Sequence, residues 1–324
     1  MNEISSVAAP VFDPFGYNIE LPLQTRVHAL GFPLRVTTNS AHVIEVIEQS
    51  WSGFPQLFDD HLLDFRVVIS TNELAPRPAG IVRGAQKHLM TAISDADNYA
   101  VCDLDKGFAF FWLAPATARD HEFLRRYYLT NLTEVMLWHS HLTMIHAACV
   151  ARNGRAVLLC GPSGAGKSCL SFSCGRRGWT FIGDDGAYLV RHSNPPIVVG
   201  SARDAHFRTT ALDLLPELRG KLSPLYASGK LVLHGLSQAF PDIERSVHGT
   251  VAAVVFLNRD SSGRARLIPM PAEEALGRLD ADLPLMEAID DQRASLRRLV
   301  KAGTFEFRYS DLDEAVNTLE SLVA

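Results

Sequence analysis

The sequence predicts an α/β fold in two parts, a smaller mixed α/β domain followed by a larger domain built around one strand–loop–helix unit. Three observations predict it. Residues 161 to 168 read Gly-Pro-Ser-Gly-Ala-Gly-Lys-Ser, matching the pattern G-x-x-x-x-G-K-[ST]. That stretch follows a short apolar run, Arg155 to Cys160, and precedes a helical run, Cys169 to Cys174, that stops at Gly175 and the basic pair Arg176-Arg177. Upstream, short β-rich segments and turn residues surround a single early helix, with no catalytic motif among them.

The elements follow in order. Residues 1 to 16, with Ala8-Ala9-Pro10 and Asp13-Pro14, read as a loose leader. Residues 17 to 125 form the first domain. Strands are expected over Asn18 to Leu23, Leu34 to Thr38 and Phe65 to Ile69. Ser40 is placed to cap a helix over Ala41 to Glu48, and Thr71 to Gly80 is a loop. Ala100-Val101 and Phe108 to Leu113 continue the β pattern.

Residues 119 to 141 make the longest helical candidate, with Phe123, Tyr127, Leu132, Val135 and Met136 as its apolar stripe. Residues 126 to 324 form the second domain. In it, His146 to Ala151, Asn153-Gly154 and Ala156 to Cys160 read as a hairpin leading into the glycine-rich loop. Thr180 to Ile182 is a short strand that ends at Gly183-Asp184-Asp185, and Val251 to Leu257 is a buried one. Met286 to Lys301 reads as a helix. Ser310 to Asp313 resembles a capping box opening a last helix with Leu312, Val316, Leu319 and Val323 on one face.

Composition narrows the classes. With 47% hydrophobic and 21% charged residues over 324 positions, the chain can bury a large core. A net charge of −5 gives no overall basic surface for nucleic acid, and no run approaches the roughly 20 apolar residues of a membrane span. Cys102, Cys149, Cys160, Cys169 and Cys174 show neither metal-finger nor C-x-x-C spacing. An odd count without a signal peptide suits a reducing cytoplasm, and Cys160 and Cys169, beside the loop, read as small apolar residues.

The loop carries chemistry. Gly161, Gly164 and Gly166, with Pro162, Ser163 and Ala165, let successive backbone N–H groups turn toward phosphate oxygens. Lys167 can reach the β- and γ-phosphates, and Ser168 can hold Mg²⁺. Cys169 opens the helix whose N-terminus favours the same anion. The expected ligand is a nucleoside triphosphate, ATP, with Mg²⁺. Asp184 and Asp185 sit where the next strand ends. They read either as a polar turn or as a metal ligand and a general base, the two acids a phosphoryl-transfer site needs.

Residues 143 to 190 resemble the catalytic core of HPr kinase/phosphorylase. His146 before the hairpin, the loop Gly161 to Ser168, Arg177-Gly178 at the helix end and Asp184-Asp185 after the next strand carry the resemblance. It implies a domain of the type shared by HPr kinase and phosphoenolpyruvate carboxykinase, with Asp184 as general base on a serine hydroxyl and Asp185 binding Mg²⁺. His146 would support the base or contact phosphate. Cys169, Gly186 and Ala147 stand where that family usually has Glu, Arg and Gly, so the broader group of HPr-kinase-related proteins is the better match. Some of these modify a serine of a ribosomal precursor peptide.

The resemblance implies a Mg²⁺-ATP-dependent kinase with a serine-bearing protein or peptide as acceptor, acting as a homo-oligomer. A small-molecule kinase with the same site and a nucleotide-binding regulatory module without transfer remain rival readings. Arg203, His206, Arg208, Lys230 and Arg245 are the basic candidates for holding transferred phosphate, because Arg suits a spread phosphate charge.

Overall fold

A computed structural model describes residues 19–59, 62–224, 229–259, 263–283 and 289–324. It divides after Met136 into two compact units, each mixed α/β. The expected leader lies outside the described residues.

The first unit holds a seven-stranded sheet. Its spatial order begins with the hairpin Leu23–Ala29 and Phe32–Thr38, continues through Leu63–Ile69, Phe108–Leu113, Asn98–Asp103 and Leu89–Asp95, and ends at Val82–Gln86. Leu63–Ile69 runs parallel to both of its neighbours. The strand expected over 18–23 begins instead at Leu23, because Leu30-Gly31 turns the chain and sets the register back from there. The last two strands in that order escape the sequence reading. Every residue of Val82–Gln86 is exposed, so the strand has no buried face to pattern it.

The helix over Ala41–Trp51 buries Val43, Val46, Ile47 and Trp51. Ser40 occupies its N-cap position but makes no capping hydrogen bond. The long helix expected over 119–141 is interrupted. Short turns at Pro115–Arg119 and His121–Phe123 lead into a π-helical stretch, Leu124–Leu129, and then a regular helix, Thr130–Ser140. The wider turn inserts one residue into the apolar stripe. Phe123 and Leu124 are therefore followed on the buried face by Tyr128 and Leu129, while Tyr127 and Val135 are only partly buried.

The second unit is built on a nine-stranded mixed sheet. At its centre Arg155–Cys160 lies parallel to His248–Arg259, with Cys160 beside Phe256. The expected hairpin forms: Ala147–Arg152 pairs antiparallel with Arg155–Cys160, and Asn153 and Gly154 both take positive φ, 54° and 75°. Both faces of this sheet are covered, so its strands read as unbroken apolar runs. Alternate residues serve different cores. Val157, Leu159, Ala253 and Val255 pack with Leu170 and Phe172 of the helix Lys167–Arg176 and with Val316 and Leu319 of the helix Leu312–Leu319. Ala156, Leu158, Val254 and Phe256 pack with Leu279 of the helix Ala272–Ala281 and Leu296 and Leu299 of the helix Ile289–Leu299. The expected start of that last helix, 286–288, lies outside the described residues. The final helix is capped by Asp311, whose side chain accepts from the Glu314 amide, rather than by Ser310.

One buried charge fixes the end of the helix Thr130–Ser140. The Arg191 guanidinium donates to the carbonyls of Trp138, His139 (2.9 Å) and Leu142 (2.9 Å), and the residue is 2% exposed. Two of these carbonyls belong to the last turn of the helix, and the third opens the strand Leu142–Ile145. Replacing Arg191 by Met keeps the volume and strips these bonds. We expect a loss of about 3 kcal/mol, the worth of charged hydrogen bonds net of the desolvation they offset. Urea unfolding of the whole chain measures it; a change under about 0.5 kcal/mol, the range of an ordinary surface substitution, would contradict the assignment.

Candidate functional site

The site forms where the carboxyl ends of the two parallel central strands meet a loop and a helix start. After Cys160 the chain turns through Gly161, Gly164 and Gly166, all at positive φ, and enters the helix Lys167–Arg176 with Gly166 as its N-cap. Gly166 has φ 100°, and a Cβ there would run into the Tyr309 hydroxyl. That hydroxyl donates to the Ala165 carbonyl at 3.2 Å and pins the loop. Gly166→Ala should therefore displace the loop and weaken nucleotide binding at least tenfold, about 1.4 kcal/mol, the lower end of the usual cost of a strained backbone position. Equilibrium binding of a fluorescent nucleotide tests it, and unchanged affinity would show that the loop does not need this backbone.

Lys167 is only 6% exposed. Its ammonium donates to the carbonyls of Gly161 (2.6 Å) and Pro162 (3.4 Å) and to Nε2 of His146 (3.0 Å). Because an ammonium only donates, Nε2 must accept, which leaves the His146 proton on Nδ1 to donate to the Asp185 carbonyl at 3.1 Å. Burial lowers the Lys167 pKa, and the charges of Asp185 and Asp184 offset this only in part.

The two acids have different environments. The Asp184 side chain has no solvent exposure. One oxygen accepts from the His206 amide at 2.7 Å, and the other, Oδ1, has no hydrogen-bond partner among the described residues. Burial raises its pKa; the His206 amide and ring and the Ser168 hydroxyl pull the other way without cancelling it. The Ser168 hydroxyl acts on this carboxylate but leaves Oδ1 without a hydrogen bond. Asp185 faces the cleft with φ +60°, a left-handed conformation that Asp and Asn adopt more readily than other side-chain-bearing residues. Burial pushes its pKa up, but the Lys230 ammonium at 2.7 Å, with His146 and His206, outweighs this and holds the carboxyl below its usual range.

A small three-stranded sheet delivers the bases. Ala205–Phe207 pairs with Leu231–Leu233, which pairs with Ser223–Pro224. This places His206 against Asp184 and Lys230, one residue before its strand, against Asp185. Arg208 reaches back to the loop and donates to Ser163 Oγ at 2.9 Å. The resulting cleft has a volume of about 80 Å³, and Ser163, Lys167, Ser168, Cys169, His206 and Arg208 are among its lining. A second cavity, of about 330 Å³, is lined mostly by apolar residues together with Gly161, Pro162 and His146.

Of the predicted basic residues, His206, Arg208 and Lys230 line the cleft, whereas Arg203 and Arg245 do not. Arg203 sits before the small sheet, its carbonyl accepting from the Leu236 amide, and Arg245 is an exposed residue bridged to Phe181. Arg259 lines the cleft and escapes the sequence reading. The signal was present: it stands at the carboxyl end of the strand parallel to the loop strand, two residues past the expected end at Leu257. Burial pushes the thiols of Cys160 and Cys169 up to about 12 and about 11, so both are neutral small side chains.

No family model matches the chain, and no curated protein matches it. Among solved structures, it is similar to the Hpr(Ser) kinase/phosphatase from Coxiella burnetii, at 14% identity and a TM-score of 0.30, over 56% of this chain and 93% of that one. A likeness this weak assigns no function. No helix among the described residues is long and apolar enough to cross a membrane.

The residues present fit a hard divalent cation. Ser168 and the two carboxylates are oxygen donors of the kind Mg²⁺ takes, and Asp184 Oδ1 is a buried acceptor without a partner among the described residues.

Proposed function

We propose that this chain is a kinase that transfers the γ-phosphoryl group of ATP to a hydroxyl group. The observation that carries this reading is the convergence of Lys167, Arg208, Lys230 and the Asp184-Asp185 pair on one glycine-rich loop at a helix N-terminus. For the acceptor we propose a serine of a protein or precursor peptide, which rests on the resemblance of residues 143–190 to the HPr-kinase-related group.

The geometry favours exchanging the roles that the resemblance gives the two acids. Asp184 is sealed from solvent beside Ser168, out of reach of an acceptor, and suits the cation. Asp185 lines the cleft and suits the base. Mg²⁺, when bound by Ser168 and Asp184, neutralises charge on the phosphates. Lys167, Arg208 and Arg259 would neutralise the remaining oxygens. Lys230 holds Asp185 by charge, and an incoming phosphate offers that ammonium a second anion. As the pair loosens, the carboxylate regains proton affinity. It then takes the acceptor's proton while the acceptor oxygen bonds to the γ-phosphorus and the bond to the β,γ-bridging oxygen breaks, releasing ADP.

The test is incubation of the pure protein with Mg²⁺ and γ-labelled ATP, alone and with the products of neighbouring genes. Label on a serine, absent with Asp185→Asn, is the expected result. ATP binding without transfer to any candidate would favour a regulatory module instead.

A further inference from the structure

Among the described residues, His42, Glu45 and His121 form the one group of three His, Cys, Asp or Glu side chains whose donor atoms all lie within 4.8 Å of one another. All three belong to the first unit, which the proposed chemistry does not use. His42 and Glu45 stand three apart on the helix Ala41–Trp51 and so share a face. His121 opens the short turn His121–Phe123. Asp120 holds that turn by accepting from the Phe123 amide at 3.0 Å and pairing with Arg77 at 3.1 Å.

The geometry is that of a ligand set. His42 Nδ1 lies 3.0 Å from His121 Nε2, His121 Nε2 lies 3.7 Å from Glu45 Oε2, and His42 Nδ1 lies 4.0 Å from the same oxygen. A triangle with sides of 3.0, 3.7 and 4.0 Å has a circumradius of about 2.1 Å, so one point lies that far from all three atoms. This is the length zinc makes to imidazole nitrogen and carboxylate oxygen. A hydrogen bond between the two rings accounts for the shortest side, and the Glu45 carboxylate stands within ion-pair reach of both rings. The side chains are 47%, 54% and 32% exposed for His42, Glu45 and His121, so an ion can enter from solvent and keep a water ligand.

We propose that His42, Glu45 and His121 form a binding site for a divalent transition-metal ion of the zinc type. Two imidazoles and one carboxylate select such an ion over Mg²⁺ or Ca²⁺, which take oxygen donors. The ion ties the helix Ala41–Trp51 to the turn at His121, two segments about 80 residues apart in the chain that this set of side chains alone would join through a metal.

The experiment is a zinc titration of the metal-stripped full chain in Mg²⁺ buffer, followed calorimetrically and repeated with cobalt(II) to read coordination by visible absorption. One zinc per chain is expected. Affinity should fall at least about tenfold in His42→Ala, His121→Ala and Glu45→Gln, no less than the loss of an outer partner of a metal site usually costs. Asp185→Asn and His146→Ala should bind zinc as the wild type does, which separates this site from the cleft. No zinc retained by the wild-type chain at equimolar metal, equal affinity in His121→Ala, or loss confined to the cleft variants would overturn the proposal. Glu45→Gln preserves size and exposure, so its loss of affinity does not report unfolding.

Discussion

Alanine at Lys167 is expected to leave a folded protein that transfers phosphate at least about a hundredfold more slowly. The side chain is 6% exposed and spends its three donors on Gly161, Pro162 and His146, so it is a desolvated cation held at the loop. Its removal relieves that burial cost while leaving two loop carbonyls short of a partner, and the two effects are each of order 1–2 kcal/mol. Stability should therefore change little. The rate loss is another matter, because one donor aimed at developing charge is worth roughly 10²–10³ in kcat. Arginine should not rescue it, since a planar fork does not fit a point-charge position among these carbonyls. Single-turnover transfer from γ-labelled ATP reads the rate, with urea unfolding as the control. Activity within tenfold of wild type would remove the loop from the mechanism.

The second large effect separates the two acids. Asp185→Asn should lower transfer by about 10²–10⁴, the usual worth of a general base, while nucleotide binding holds. Asparagine tolerates the left-handed backbone at φ +60°, so this variant removes charge without adding strain. Alanine would add strain and confuse the two. Asp184→Asn should instead raise the Mg²⁺ concentration needed for half-maximal rate. If Asp184→Asn slows saturated turnover and Asp185→Asn only shifts the Mg²⁺ requirement, the base is Asp184, as the resemblance alone suggests.

The parts of this molecule legible in the sequence are those where local pattern and burial agree. The hairpin into the loop could be read because Asn153-Gly154 favours positive φ and its flanking strands are apolar apart from Arg152 and Arg155 at the turn. The helix Ala41–Trp51 could be read from one buried face. The break at Leu124–Leu129 could not, since a π-turn shifts the stripe by one residue and leaves Tyr127 looking like its continuation. At the site, the loop and the acid pair are contiguous in sequence and stood out. The order of burial between Asp184 and Asp185 did not, because it depends on the small sheet around His206 and Lys230. Arg259 was missed for a similar reason. Its place in the cleft follows from a parallel pairing with a distant strand.

That pairing also governs when the site can exist. Arg155–Cys160 waits for His248–Arg259, about a hundred residues later, and the small sheet that positions His206 and Lys230 lies in the intervening stretch. A parallel contact of this span is closed late and slowly, because the entropy of the long loop is spent before the pairing returns anything. On the ribosome, the glycine-rich loop emerges well before the strand that completes its floor. The nascent chain therefore passes through a period in which its lysine and carboxylates are already synthesised and the cleft is not yet assembled.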